Sequence, residues 1–145
     1  MSYTTILLEK MEGIAKITLN KPEAFNAINS QMVDDLAKAV EDVKKDPNVK
    51  VLIITGAGKA FSAGGDVKAM PEMLNWSQVD LLEHLKRIHE VIYTLSDMDK
   101  ITIAAINGVA AGAGLSLALA CDMRIASENA RLTTGFIRVG LHTDC

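Results

Sequence analysis

Two glycine-rich stretches are where this sequence could do chemistry with its own backbone: Phe61-Ser62-Ala63-Gly64-Gly65-Asp66 and Asn107-Gly108-Val109-Ala110-Ala111-Gly112-Ala113-Gly114. Small side chains let a ligand approach the main chain, and consecutive N–H groups at a helix start favour negative charge. Two such ends facing one another would form an oxyanion hole, in which each donor typically contributes about 2.7–4 kcal/mol to a transition state. The same glycines also suit tight turns and close helix–strand packing, and composition does not choose between these uses.

Other patterns point to chemistry less well. Ser116 in Gly114-Leu115-Ser116-Leu117-Ala118, followed by Asp122 and His142, has the serine, acid, histidine order of a hydrolase. An elbow serine sits directly on a strand-to-helix turn, however, and Ser116 is expected within a helix. Gly56-Ala57-Gly58 and Gly112-Ala113-Gly114 each begin a dinucleotide-binding pattern, but Phe61 and Leu117 stand where its third glycine belongs. Ile53 stands where a phosphate loop would need the glycine upstream of Gly58-Lys59. His84 and His89 lack the i, i+4 spacing of a zinc protease and are expected on different helix faces, so no metal site is predicted. Met70, Met73 and Trp76 suit either an adaptable apolar pocket or plain core packing. Lys21, Lys59 and Lys68 flank the glycine stretches and are either local phosphate contacts or solvated lysines.

The elements that must position these loops follow from hydrophobic periodicity. Residues 4–19 alternate as a hairpin around Met11-Glu12-Gly13, with Ala15, Ile17 and Leu19 on one face. Residues 30–45 change to helical period, with Met32, Val33, Leu36, Val40 and Val43 in step and Ser30 as expected N-cap. Residues 51–55 and 101–106 are apolar, β-branched runs that predict parallel strands buried on both faces. Ser77 with Asp80 marks the start of a second long helix, and residues 115–120 form a third. Another strand is expected over residues 123–126. Both glycine stretches thus follow the carboxyl end of a strand, where α/β sheets place ligands.

With 145 residues and 49% hydrophobic content, the chain is expected to form one domain over residues 1–145. A net charge of −3 argues against a surface devoted to nucleic acid. Cys121 and Cys145 are too few for a disulfide framework, and neither an export signal nor a membrane-length apolar run is evident. A soluble cytoplasmic protein without nucleic-acid or membrane partners is expected.

Asn20-Lys21-Pro22-Glu23-Ala24-Phe25-Asn26-Ala27, residues 60–67 and the second glycine stretch with Leu117-Ala118-Leu119-Ala120-Cys121-Asp122 resemble, in order and spacing, hallmarks of the enoyl-CoA hydratase/isomerase (crotonase) superfamily. The resemblance covers essentially the whole chain. It implies an α/β crotonase (ClpP/crotonase-like) fold of repeated β-β-α units, assembled as a homotrimer or dimer of trimers. It further implies that the N–H groups of Gly65 and Ala113 hold a thioester oxygen as it becomes an enolate. Ser62, Ala63, Gly64, Asp66, Gly112 and Gly114 would border the acyl-CoA substrate. No cofactor is implied beyond the coenzyme A of that substrate.

The chain departs from the family where hydratases resemble one another most. Ser116 and Phe136 occupy the positions of their two glutamates, and neither can act as a carboxylate acid or base. Gly140-Leu141-His142-Thr143-Asp144 instead resembles isomerases of the superfamily with a lone aspartate, which makes Asp144 the expected base and isomerisation the expected reaction. A non-catalytic acyl-CoA-binding or assembly subunit is the alternative. Family members are commonly longer, so the chain is expected to stop before the C-terminal helical region, leaving apolar surface uncovered.

Overall fold

The computed structural model describes residues 3–142. Strands β1 (Ile6–Met11) and β2 (Ile14–Leu19) form an antiparallel hairpin, turned by Glu12 and Gly13 at φ 51° and 84°. Helix α1 (Ser30–Lys45) follows, then strands β3 (Val51–Gly56) and β4 (Ala60–Ser62). A single turn, α2 (Met70–Met73), precedes α3 (Gln78–Ser96). The chain continues through β5 (Ile101–Ile106), β6 (Val109–Ala111), α4 (Ala113–Leu119), β7 (Met123–Ala126) and β8 (Arg131–Thr133). Two sheets result, one of order β1-β2-β3-β5-β7 and one of order β4-β6-β8. Every pairing except the hairpin is parallel.

The long elements form where periodicity predicts them. Asn29, rather than Ser30, caps α1, its side chain accepting from the Met32 N–H at 3.0 Å. The cap falls one residue earlier because Asn29 is the last residue in extended geometry, which a cap requires. Ser77 and Asp80 cap α3 reciprocally, each side chain reaching the other's backbone N–H.

The strands are buried on one face, not both. Ala15, Ile17 and Leu19 of β2, Leu52 and Ile54 of β3, and Ala104 and Ile106 of β5 are buried together with Leu36, Val40 and Val43 of α1. Each fully buried Val, Leu or Ile among these contributes about 1.5–3 kcal/mol. On the opposite face Val51, Ile53 and Ile103 are only half-buried, and Ile101, Met123 and Ile125 are exposed. A continuous apolar run therefore overstates how far this sheet is covered by the described residues.

Two strands of the small sheet, β4 and β6, lie at or inside segments whose composition suggests only glycine loops. Its strands are three residues long, too short to display a period of two. Cys121 is buried, and burial pushes its thiol up to about 11, so it is no nucleophile at neutral pH. Among the described residues no helix is long and apolar enough to cross a membrane.

Candidate active site

β4 leads into the first glycine loop and β6 into the second, and their parallel pairing, Ala60 with Val109 and Ser62 with Ala110, sets the loops side by side. Gly64, at φ +93°, lies so close to the second loop that a Cβ there would stand 2.6 Å from the Ala111 carbonyl oxygen and 3.5 Å from the Ala113 nitrogen. No side chain fits at this crossing.

Residues 25–28 hold the first loop from its other side. The Ala63 N–H donates to Phe25 at 2.9 Å, the Ile28 N–H to Gly64 at 2.7 Å, and the Asp66 N–H to Ile28 at 3.0 Å. These bonds form a parallel bridge between Ile28 and Gly65. The bridged residue of such a pair turns its own N–H away from the partner, so the Gly65 N–H faces away from Ile28. Ala113 opens α4, where a first-turn N–H has no acceptor within the helix. Neither N–H has an acceptor among the described residues.

Gly65 and Ala113 both border one cavity of about 280 Å³. Ala63, Gly64, Gly65 and Asp66 form one part of its wall, and Ala111, Gly112 and Ala113 another. Met70, Met73 and Trp76 contribute an apolar side, completed by Leu85, Ile88 and Phe136. Ser62 and Gly114 do not border it. Both are buried behind the loops, and a Cβ on Gly114 would stand 2.6 Å from the Ser62 hydroxyl, which donates to the Asn26 carbonyl at 2.8 Å. Asp144 lies outside the described residues.

His84 and His89 both border the cavity, contrary to the expectation of different faces. They flank Leu85 and Ile88 on α3, and side chains long enough to lean inward from either edge of a helical stripe reach the same space. The rings of His84 and Trp76 meet edge-on with centroids 5.2 Å apart. Burial, and next the Arg87 guanidinium, hold the His84 imidazole below the ordinary histidine range, against an opposing pull from Asp34. The groove therefore presents a neutral imidazole near pH 7.

The hydrolase order in the sequence does not become a triad. The Ser116 hydroxyl donates to the Gly112 carbonyl within α4, and the Asp122 carboxylate accepts the Thr102 N–H and hydroxyl at 2.7 and 2.8 Å. Phe136 faces Gly112 across the cavity wall. Among the described residues no group of three His, Cys, Asp or Glu could hold a metal ion.

The family model for enoyl-CoA hydratase/isomerase matches residues 9–145. Crotonyl-CoA hydratase of Syntrophomonas wolfei is 39% identical over 142 residues, which cover 97% of this chain and 54% of that protein. The trans-2-decenoyl-acyl-carrier-protein isomerase of Streptococcus mutans is 33% identical over 145 residues, covering 99% of this chain and 55% of that one. The crystal structure of an enoyl-CoA hydratase/carnithine racemase from Magnetospirillum magneticum superposes with a TM-score of 0.89 at 30% identity, over 97% of this chain and 53% of the other. The chain spans about half the length of the curated relatives it matches. Two sheets joined by α/β units, a groove walled by paired glycine loops and a family match over nearly every residue lead to one conclusion: the chain has the crotonase fold and belongs to the enoyl-CoA hydratase/isomerase family.

Proposed function

We propose that this chain supplies the thioester-holding part of an acyl-CoA enzyme, with the Gly65 and Ala113 N–H groups donating to the thioester oxygen as it becomes an enolate. One observation carries the reading: Gly65 and Ala113, whose N–H groups have no acceptor among the described residues, come from separate loops in contact and border a single cavity. Donors fixed before reaction act on developing charge without reorganising, which is why such a pair is effective.

Isomerisation of a 3-enoyl to a 2-enoyl thioester is the favoured reaction. A base removes a proton from carbon 2, the dienolate oxygen takes the charge between the two N–H groups, and the same base returns the proton to carbon 4. One carboxylate suffices, and Asp144 is the proposed base. Ser116 and Phe136 argue against hydration by paired glutamates, since a helix-bound hydroxyl and a phenyl ring replace both acids. A family that includes both a hydratase and an isomerase among this chain's relatives accommodates either reaction. Coenzyme A enters as part of the substrate and no separate cofactor is proposed. The proposed assembly is a homotrimer or dimer of trimers, in the cytoplasm.

Incubation with 3-butenoyl-CoA and with crotonyl-CoA, following double-bond movement and hydration separately, tests this. Asp144→Asn should abolish isomerisation while sparing binding, and unchanged turnover removes Asp144 from the mechanism. Tight binding without either reaction favours a non-catalytic acyl-CoA-binding or assembly subunit. That second reading is supported by Asp66, the sole carboxylate-bearing residue on the cavity among the described residues, accepting the Lys68 N–H and so serving its own loop turn.

A further inference from the structure

Two asparagines outside the cavity meet on one carbonyl. The Asn26 side chain, wholly buried, donates to the Ala57 and Ala60 oxygens at 2.9 and 2.8 Å and accepts the Lys21 N–H at 2.9 Å. The Asn107 side chain donates to the Gly58 and Ala60 oxygens at 3.1 and 3.3 Å and accepts the Gly56 N–H at 3.1 Å. Ala60 is therefore held from both sides.

This junction sits where the two donor loops branch. Ala60 opens β4, which leads into Gly65; Asn107 immediately precedes the turn into β6, which leads into Ala113. Asn26 belongs to the segment that brackets residues 63–66, and its own carbonyl receives the Ser62 hydroxyl. The β4–β6 ladder is irregular between Ala60 and Ser62, so the ladder alone does not fix the register of the loops. Close backbone approaches take its place. A Cβ on Gly56 would stand 2.2 Å from the Ala60 oxygen, and one on Gly108 2.1 Å from the Lys59 oxygen. The asparagine amides satisfy the polar backbone around this junction, accepting the Lys21 and Gly56 N–H groups and donating to the Ala57, Gly58 and Ala60 carbonyls.

We propose that Asn26 and Asn107 are positioning residues of the oxyanion pair, clasping the Ala60 carbonyl so that the Gly65 and Ala113 N–H groups keep their spacing. The proposal rests on the thioester-holding reading above. Neither asparagine borders the cavity. Losing one side of the clasp lets β4 slide along β6, and a displacement of about 1 Å at donor groups can lower a rate by about 100-fold.

The test uses butanoyl-CoA carrying carbon-13 at its carbonyl, a saturated thioester that neither isomerises nor hydrates, with difference infrared spectroscopy of the bound carbonyl. Asn107→Ala is the first variant, because Asn107 is only half-buried. Asn26→Gly is the second, since Asn26 has φ 56° and glycine tolerates that geometry. Val43→Ala, a buried change in α1 far from the clasp in sequence, serves as a control for lost stability. The expected result is a carbonyl band lowered on binding to the parent protein, with about half or more of that lowering lost in each asparagine variant. The value of kcat for 3-butenoyl-CoA should fall about 10- to 100-fold while affinity changes little, the pattern of an interaction expressed in the transition state. The Val43→Ala control should lose melting temperature and keep the full band shift. Asparagine variants that keep both the shift and kcat overturn this proposal. A parent protein that binds butanoyl-CoA without lowering its carbonyl band overturns the oxyanion-hole reading itself, so the two failures are distinct.

Discussion

Substitution of Gly64 by alanine should separate the two glycines of the first loop by role. A Cβ at Gly64 would stand 2.6 Å from the Ala111 oxygen, and reaching the 3.4 Å of an ordinary contact requires the loops to part by about 0.8 Å. That oxygen belongs to backbone, so no side-chain rotation relieves it. The residue also sits at φ +93°, where a side chain adds about 1–3 kcal/mol of strain. At Gly65 the situation is the reverse: its backbone is ordinary and the nearest atom to a new Cβ is the flexible end of Met70 at 3.7 Å. Gly64→Ala should therefore lose roughly 2–4 kcal/mol of stability in urea titration, strain and contact together. Turnover of an enoyl-CoA should fall by about 100-fold, because the donors would move by nearly the distance that costs that much. Gly65→Ala should stay within about 0.5 kcal/mol of the parent in stability. Equal stability and turnover for Gly64→Ala and the parent, or a larger stability loss for Gly65→Ala, would refute the reasoning.

Other consequences concern charge. Asp35 is buried on α1 and its carboxylate accepts the Thr4 and Thr5 N–H groups at 3.0 and 2.9 Å and the Thr5 hydroxyl at 2.8 Å. Asp35→Ala should cost about 3 kcal/mol in urea titration, since those donors lose a charged acceptor. Burial alone would raise the Asp35 carboxyl, but the Thr5 hydroxyl and the Thr5 and Thr4 amides outweigh it and hold it below the ordinary range. Its stabilisation is thus complete above about pH 3.9 and lost as pH falls through the lower folded value, an acid limb that Asp35→Asn should flatten. For His84 the depressed imidazole favours the neutral form. Stability from this source is present above about pH 6.5 and lost as pH falls through the folded value. Trp76 is the chain's one tryptophan, so its fluorescence should be quenched by the protonated ring with a midpoint below about pH 6.5, and His84→Asn should remove the transition.

Much of the scaffold was written in local pattern. The alternation of Ala15, Ile17 and Leu19, the helical spacing of Met32, Leu36, Val40 and Val43, and the Ser77 and Asp80 cap all operate within a few residues, so each can be read without knowing what lies across the fold. The glycine loops were also visible as chemistry-capable backbone. Their composition did not say whether the glycines line a cavity or pack against neighbouring groups, and each holds at different positions. Gly64 and Gly114 are small because backbone and Ser62 crowd them, whereas Gly65 borders open space. That division depends on β4 pairing with β6 across nearly fifty residues of chain, contacts that three-residue strands do not announce. The burial of only one sheet face, the reach of both His84 and His89 into the groove, and the meeting of Asn26 and Asn107 at Ala60 are likewise decided by tertiary structure. Each is a matter of which distant backbone groups are left to satisfy or to cover, and local periodicity carries no term for that.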